Sequence, residues 1–350
     1  MRLSSLLRTL LAALVVVLSL AAPRATHAQR NPSGYFELVP YRDDDGNVQL
    51  VLSDDGDFYH DRSSFGIAPS KLVGLDMRRL SADGDSVRFR LVRDAGTIEF
   101  YGRAGDGRAR GRYRFVADPS FEAALVRRGY DRPHDDEQFQ LALFDVGVPV
   151  LDELRDQRYE RPDIDDLVRM GMHGVTLDYV RALGALGYRV GTVERLTTLR
   201  DHGVSAAYVR ELASAGYRNL DADELRSLRD HGVTASFVRE LADAGYRNLE
   251  IRLVRDLRDH GVRGDFVREL SNLGFANLDL DDVRRARDHG LTTSFVQGIQ
   301  RAGLRGLSLE TLIRLRDHGV TPSFAEMARK DYGARSAEDV IRLRDRGVKD

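Results

Sequence analysis

From residue 146 onward the apolar positions recur with a period of 29, which marks a repeat architecture before any other reading. Units laid out from the position after each His-Gly begin at Val146, Val175, Val204, Val233, Val262, Leu291 and Val320, and the last is one residue short. In the unit 233–261, Thr234 is a good helix N-cap, and Phe237, Val238 and Leu241 share a face at helical spacing before Gly245 stops the helix. A second helix begins in the column of Asp221, where Asp221 and Glu224 form a capping-box pattern, presents Leu225 and Leu228, and stops at Gly232. Thr321-Pro322 is the same start with proline in the first turn. One period upstream, Phe121, Leu125, Gly129 and Tyr130 stand in the columns of Tyr179, Leu183, Gly187 and Tyr188, so a degenerate eighth unit is expected over 117–145, with Phe144 in the histidine column. Helices of about ten residues are about 15 Å long and too short to be stable alone, so the units are expected to stack as an α-solenoid over 117–350.

The stretch LRDHGV stands at 228–233, 257–262 and 315–320. A helix ending in a left-handed glycine brings the residue after the glycine back against the one four before it, which pairs Val233 with Leu228 and, on the other helix of a unit, Tyr217 with Leu212 and Tyr246 with Leu241. The six histidines His173, His202, His231, His260, His289 and His318 then fall at the C-cap, where the helix dipole favours a protonatable imidazole by a few tenths to about 1 kcal/mol. Arg346 replaces the histidine in the last unit.

Residues 30–116 alternate differently. FELVPYR, NVQLVLS, SVRFRLVR, TIEFYGR and RGRYRFVA are short β-prone runs separated by DDDG, DDGD, ADGD, DAG and AGDG. Five or more antiparallel strands are expected there, with 63–80 irregular or briefly helical. The fold class expected is thus a small antiparallel β-sheet domain followed by an all-α helical-hairpin repeat solenoid.

Ahead of both, Arg2 and Arg8 precede an uncharged run from Thr9 to Ala22, which reads as a secretory signal peptide over 1–28 cut near Ala28, with an uncleaved anchor as the alternative. The expected location is a bacterial periplasm or the medium. Removing Arg2, Arg8 and Arg24 leaves 50 bases against 55 acids, a balance that argues against a nucleic-acid partner. The absence of cysteine excludes disulfides, thiolate metal sites and a cysteine nucleophile. Lysine occurs only at Lys71, Lys330 and Lys349.

The pattern SF-V-REL-x-x-AGY-x-NL-x-x-x-EL-x-x-LRDHGV, together with VRFRLVRDAGTIEFYGRAGDGRARGRYRF before it, resembles a family of bacterial extracytoplasmic repeat proteins also seen as tails of antirepressor-type membrane metallopeptidases. The peptidase part, with its HExxH motif and membrane spans, is absent from this chain. The resemblance implies architecture and an envelope location much more than an activity.

Equivalent points on stacked hairpins lie about 10 Å apart, too far for the histidines to share a zinc ion. The C-cap reading is therefore preferred, with a pH-responsive imidazole row as the alternative. The Arg-Asp columns, such as Arg229-Asp230 and Arg258-Asp259, are expected to form an ion-pair ladder between units on a solvated face. Arg181, Arg210, Arg239 and Arg268 form a stripe on the first helices, interrupted by Gln297 and Glu326, and are the candidate interaction surface. RDDDGN at 42–47 and DDGD at 54–57 lack the spacing and closing glutamate of a calcium loop. GRAGDGRARG at 102–111 lies between strands and opens no helix, so it is no phosphate loop. His60-Asp61 and His134-Asp135 have no nucleophile motif nearby. No cofactor or metal is expected. The leading expectation is a non-catalytic scaffold that binds another envelope protein; the alternative is an envelope sensor of a small ligand or of pH, and a cryptic hydrolase in the sheet part ranks third.

Overall fold

The computed structural model describes residues 32–40, 46–54, 62–81, 84–275 and 278–349. The expected signal peptide, residues 42–45 of RDDDGN, residues 55–57 of DDGD and the pair His60-Asp61 lie outside the described residues.

Seven strands form one antiparallel sheet: β1 (Ser33–Val39), β2 (Val48–Asp54), β3 (Arg62–Ile67), β4 (Leu72–Val73), β5 (Ser86–Arg93), β6 (Gly96–Gly105) and β7 (Arg108–Ala117), in the order β3-β2-β1-β7-β6-β5-β4. The alternation in SVRFRLVR becomes two faces, with Val87, Phe89 and Leu91 buried and Arg88, Arg90 and Val92 exposed. On the inner face Phe89 stacks on Phe100 at 4.6 Å, and Phe36 meets both edge-on. The β6–β7 hairpin turns on Asp106-Gly107, both with positive φ, the backbone that a two-residue loop between right-twisted strands requires.

The segment 63–80 is more regular than its composition suggests. It contains most of β3 and all of β4, beside 3-10 turns at Pro69–Lys71 and Met77–Ser81. RSSFGI has little intrinsic β preference; pairing of Phe65 with Leu50 and Ile67 with Val48 holds it as a strand.

The helices form hairpins in the expected register: α1 (Pro119–Arg127) with α2 (Asp135–Leu143), α3 (Val148–Asp156) with α4 (Ile164–Met172), α5 (Leu177–Ala185) with α6 (Val193–Asp201), and α7 (Ala206–Ser214) with α8 (Ala222–Asp230). They continue as α9 (Ala235–Asp243) with α10 (Ile251–Asp259), α11 (Gly264–Asn272) with α12 (Leu280–Asp288), α13 (Thr293–Arg301) with α14 (Leu309–Asp317), and α15 (Pro322–Asp331) with α16 (Ala337–Asp345). The chain is thus a β-sheet part followed by a helical repeat part. No described helix is long and apolar enough to cross a membrane.

Compactness divides differently, into units meeting at Thr198 and Leu199, inside α6. In the first unit α2 packs on the sheet: Phe139 stacks on Tyr113 at 5.6 Å, and the buried Gln138 side chain donates to the carbonyls of Ala95 (2.8 Å) and Asp118 (3.0 Å). The sheet and the earliest hairpin share one core for this reason. In the second unit first helices pack on first helices, α7 to α9 to α11 to α13 to α15, and second helices on second, as α8 on α10 and α12 on α14 on α16.

Side-chain caps mark where most of the described helices begin, α3, α10 and α11 being exceptions. Thr234 Oγ1 accepts from the Phe237 N–H at 3.2 Å, and Asp221 and Glu224 exchange reciprocal bonds of 2.8 Å. At the other end the Val233 N–H donates to Leu228 O at 2.9 Å, and Tyr246 N–H to Leu241 O at 2.9 Å, each across a glycine of positive φ. Two early units keep this geometry without glycine: Asp145 (φ 61°) and Arg158 (φ 63°) occupy the glycine columns, and Val146 and Tyr159 still donate to Leu141 and Leu154. A left-handed arginine carries a backbone penalty that glycine lacks, partly offset by glycine's freer unfolded chain. Arg158→Gly is expected to raise the unfolding free energy by about 0.5–1 kcal/mol, measured by denaturant titration monitored within the first unit.

Candidate functional site

Every residue of LRDHGV now has a contact. Leu228 is buried in the core, Gly232 turns left-handed, and Val233 is fully buried as it closes the turn. His231 is the C-cap of α8, and its Nδ1 lies 2.7 Å from Oδ1 of Asp259, the aspartate of the next unit rather than its own neighbour. The same contact joins His202 to Asp230 (2.6 Å), His260 to Asp288 (2.6 Å), His289 to Asp317 (2.8 Å) and His318 to Asp345 (2.8 Å). His173 caps α4 in the first unit.

The arginine preceding each of these aspartates reaches a different group. Arg229 lies over the Tyr208 ring at 5.0 Å, Arg258 over Phe237 at 5.3 Å, Arg287 over Phe266 at 5.5 Å, Arg316 over Phe295 at 5.5 Å and Arg344 over Phe324 at 4.8 Å. The ladder between units therefore runs from Asp to His, while each arginine lies over a ring of its own unit; among the described residues Arg229, Arg258, Arg287 and Arg316 form no ion pair with a neighbouring aspartate. Adjacent helical residues point about 100° apart, so the arginine meets a ring on the first helix of its own hairpin while the aspartate meets the histidine of the preceding one.

Magnitudes decide what the ladder does. The imidazoles are 38–41% exposed and the paired carboxylates 39–50%, so each contact is a surface pair of about 0–1 kcal/mol, and each arginine-ring contact adds about 0.5–1 kcal/mol. Truncating a buried leucine such as Leu257 costs about 2–5 kcal/mol. The leucine columns hold the array together; the ladder sets the register of one hairpin on the next. Among the described residues the five paired imidazoles form no hydrogen bond with a hydroxyl, and no three His, Asp or Glu side chains gather to hold a metal ion.

Tyrosines add a second set of ties in the second unit. Tyr217 and Tyr246 donate to the carbonyls of Leu249 (2.7 Å) and Leu278 (2.6 Å), and Tyr208 donates to Val233 O at 2.9 Å.

The arginine stripe separates into two kinds. Arg210, Arg239 and Arg268, on α7, α9 and α11, are exposed and form no hydrogen bond or ion pair among the described residues. Arg181, on α5 in the first unit, is also exposed, but its Nε donates to Glu153 Oε2 at 2.7 Å, so its guanidinium is already engaged. Gln297 ends the row on α13.

A second surface was overlooked because net charge averages it away. Between residues 86 and 117 eight arginines meet three acids, and strand alternation sends seven of those arginines to the outer face of the sheet. The register aligns Arg88, Tyr101, Arg112 and Tyr35 in a row across four strands. On one side of this row stand Arg90, Glu99 and Arg114, and on the other Arg103, Arg110 and Glu37. Arg88 and Arg114 lie 5.8 and 5.7 Å from the Tyr101 ring centre, and Arg112 lies 4.8 Å from that of Tyr35. The legible signal was the arginine at every second position of RFR and RARGRYR.

Comparison with protein-family models finds no match, and comparison with curated proteins finds none either.

Burial pushes the Tyr208 hydroxyl up from 10.0 to about 12, with the nearby Arg229 acting weakly the other way. A folded-state value above the unfolded one means that the stability this neutral phenol contributes is complete below pH 10 and is lost as pH rises through about 12. In alkaline unfolding followed within the second unit, Tyr208→Phe is expected to be less stable than the wild type near neutrality and to lose less stability across that window.

Proposed function

We propose that the chain is a non-catalytic scaffold of the bacterial envelope, whose repeat array presents the exposed face of α7, α9 and α11 to another protein. The observation that carries this reading is the row Arg210, Arg239 and Arg268: three guanidinium groups at one-repeat spacing, exposed and uncommitted, in a unit where the arginines of the second helices are spent on aromatic faces. Stacking converts a period in sequence into a periodic surface, which suits a partner with acidic groups repeated at a similar interval. Glu211, Glu240 and Glu269 follow these arginines directly, so the face carries parallel stripes of both signs, which favours a partner aligned in one direction over a nonspecific polyanion. The signal-peptide pattern of the N-terminal run, and the resemblance to extracytoplasmic repeat proteins, support an envelope location for that partner.

The test is crosslinked affinity capture from envelope extract of the native cell with the wild type and two variants. The triple charge reversal R210E/R239E/R268E is expected to lose one stoichiometric protein that the wild type retains, whereas Arg181→Glu, whose residue is committed to Glu153, keeps it. Equal capture by wild type and triple variant, or a turnover activity abolished by one His or Asp substitution, would overturn the reading.

A further inference from the structure

On the outer face of the sheet, a shallow open groove of about 270 Å³ runs beside β4, lined by Val73, Gly74, Arg88, Arg90, Glu99 and Tyr101. Arg90 forms no hydrogen bond or ion pair among the described residues, and Arg88 contacts the Tyr101 ring alone. Glu99 accepts from the Tyr101 hydroxyl at 2.5 Å and from Arg114 Nε at 2.6 Å, both through Oε2. These donors hold its carboxyl below the usual carboxylate range, so it is ionised and Oε1 keeps its lone pairs for another donor. The groove thus combines two guanidinium groups that form no hydrogen bond among the described residues, Arg88 beside the Tyr101 ring and Arg90 paired across strands with Glu99, with a fixed anionic acceptor, an aromatic edge and an apolar valine that is 48% exposed.

We infer that this groove binds an acidic sugar unit of an anionic polysaccharide, with its carboxylate paired to Arg88 and Arg90 and a ring hydroxyl donating to Glu99 Oε1. The polymer continues along the row to Arg112, where the next cations lie two strands away, about 10 Å by strand spacing. Two features, the glutamates and the Tyr101 ring, disfavour the other polyanions. A DNA strand brings phosphates without internal hydroxyl donors, so Glu99 would repel it, and the Tyr101 ring that would stack a base already has Arg88 and Arg114 beside it. An anionic lipid surface would press Glu37 and Glu99 against headgroups of the same sign. A uronate chain offers carboxylates and hydroxyls together, in the alternation that the face presents. This inference stands on the sheet alone and does not depend on the role proposed for the repeats; it takes from export only that such polymers are within reach.

The experiment is binding of the full chain to polygalacturonate, with dextran, an oligo-deoxythymidine and phosphatidylglycerol vesicles as separate probes. Wild type is expected to bind polygalacturonate with a Kd that weakens as salt rises, and to bind the other three at least about tenfold more weakly. R88Q/R90Q is expected to weaken polygalacturonate binding by about tenfold or more, because two charge-assisted contacts are lost, while still melting as a folded protein. R88K/R90K, which keeps the charge, is expected to retain more of the binding than the glutamine pair, and R210Q/R239Q/R268Q to leave it unchanged. No binding to polygalacturonate, salt-insensitive binding, tighter binding to the oligonucleotide or the vesicles, or a folded R88Q/R90Q with wild-type Kd would overturn the inference.

Discussion

The repeat array depends on one backbone reversal. Where a helix ends, a residue enters the left-handed region, and the next N–H turns back to a carbonyl five residues earlier: Val204 to Leu199, Val233 to Leu228, Val262 to Leu257, Leu291 to Ala286, Val320 to Leu315. The reversal satisfies carbonyls that the helix would otherwise leave open and buries the residue that makes it, since all five donors are fully buried. It also fixes the exit direction of the chain, and with it the place where the next N-cap begins. Nine-residue helices are too short to persist alone, so the angle at which each hairpin meets the next decides whether the leucine columns find one another.

Seen from this constraint, the polar letters of LRDHGV have a subordinate role that the one-dimensional pattern did not reveal. An Asp-His dipeptide in a helix end invites the reading of a coupled pair, yet the pairing runs from each histidine to the aspartate of the following unit. Once hairpins stack in register, position 231 faces 259, an offset one short of the period. The period, the caps, the glycine stops and the core columns follow from local rules and were legible in sequence; the ladder is a property of stacking and was not. Arg158 and Asp145 show the same limit from the other side, because they adopt, with the same returning hydrogen bonds, a conformation that local preference would give to glycine.

The sheet teaches a different lesson. Its inner face was readable from alternating Val, Phe and Leu, whereas RSSFGI became a strand only through its partner. Its outer face was written as plainly, in arginines at every second position, but a chain with 53 bases and 55 acids conceals a local excess when charge is summed over its length. Strand alternation segregates charge more sharply than helix periodicity does, since it sends every second residue to one side. The two surfaces therefore differ in kind. The repeats carry arginine and glutamate in parallel stripes, while the sheet carries arginines braced by tyrosine rings and by two glutamates, Glu37 and Glu99, each held below the usual carboxylate range with the adjacent arginines among the causes.

Native-state amide exchange of the full chain tests the founding claim most directly. If the leucine columns meet only because of the helix-end reversal, the N–H groups of Val204, Val233, Val262, Leu291 and Val320 will be among the most protected in the second unit and will open together with the leucine-bearing turns before them. Exchange of these five amides at the rate of exposed linker residues, while the helix centres stay protected, would contradict the account.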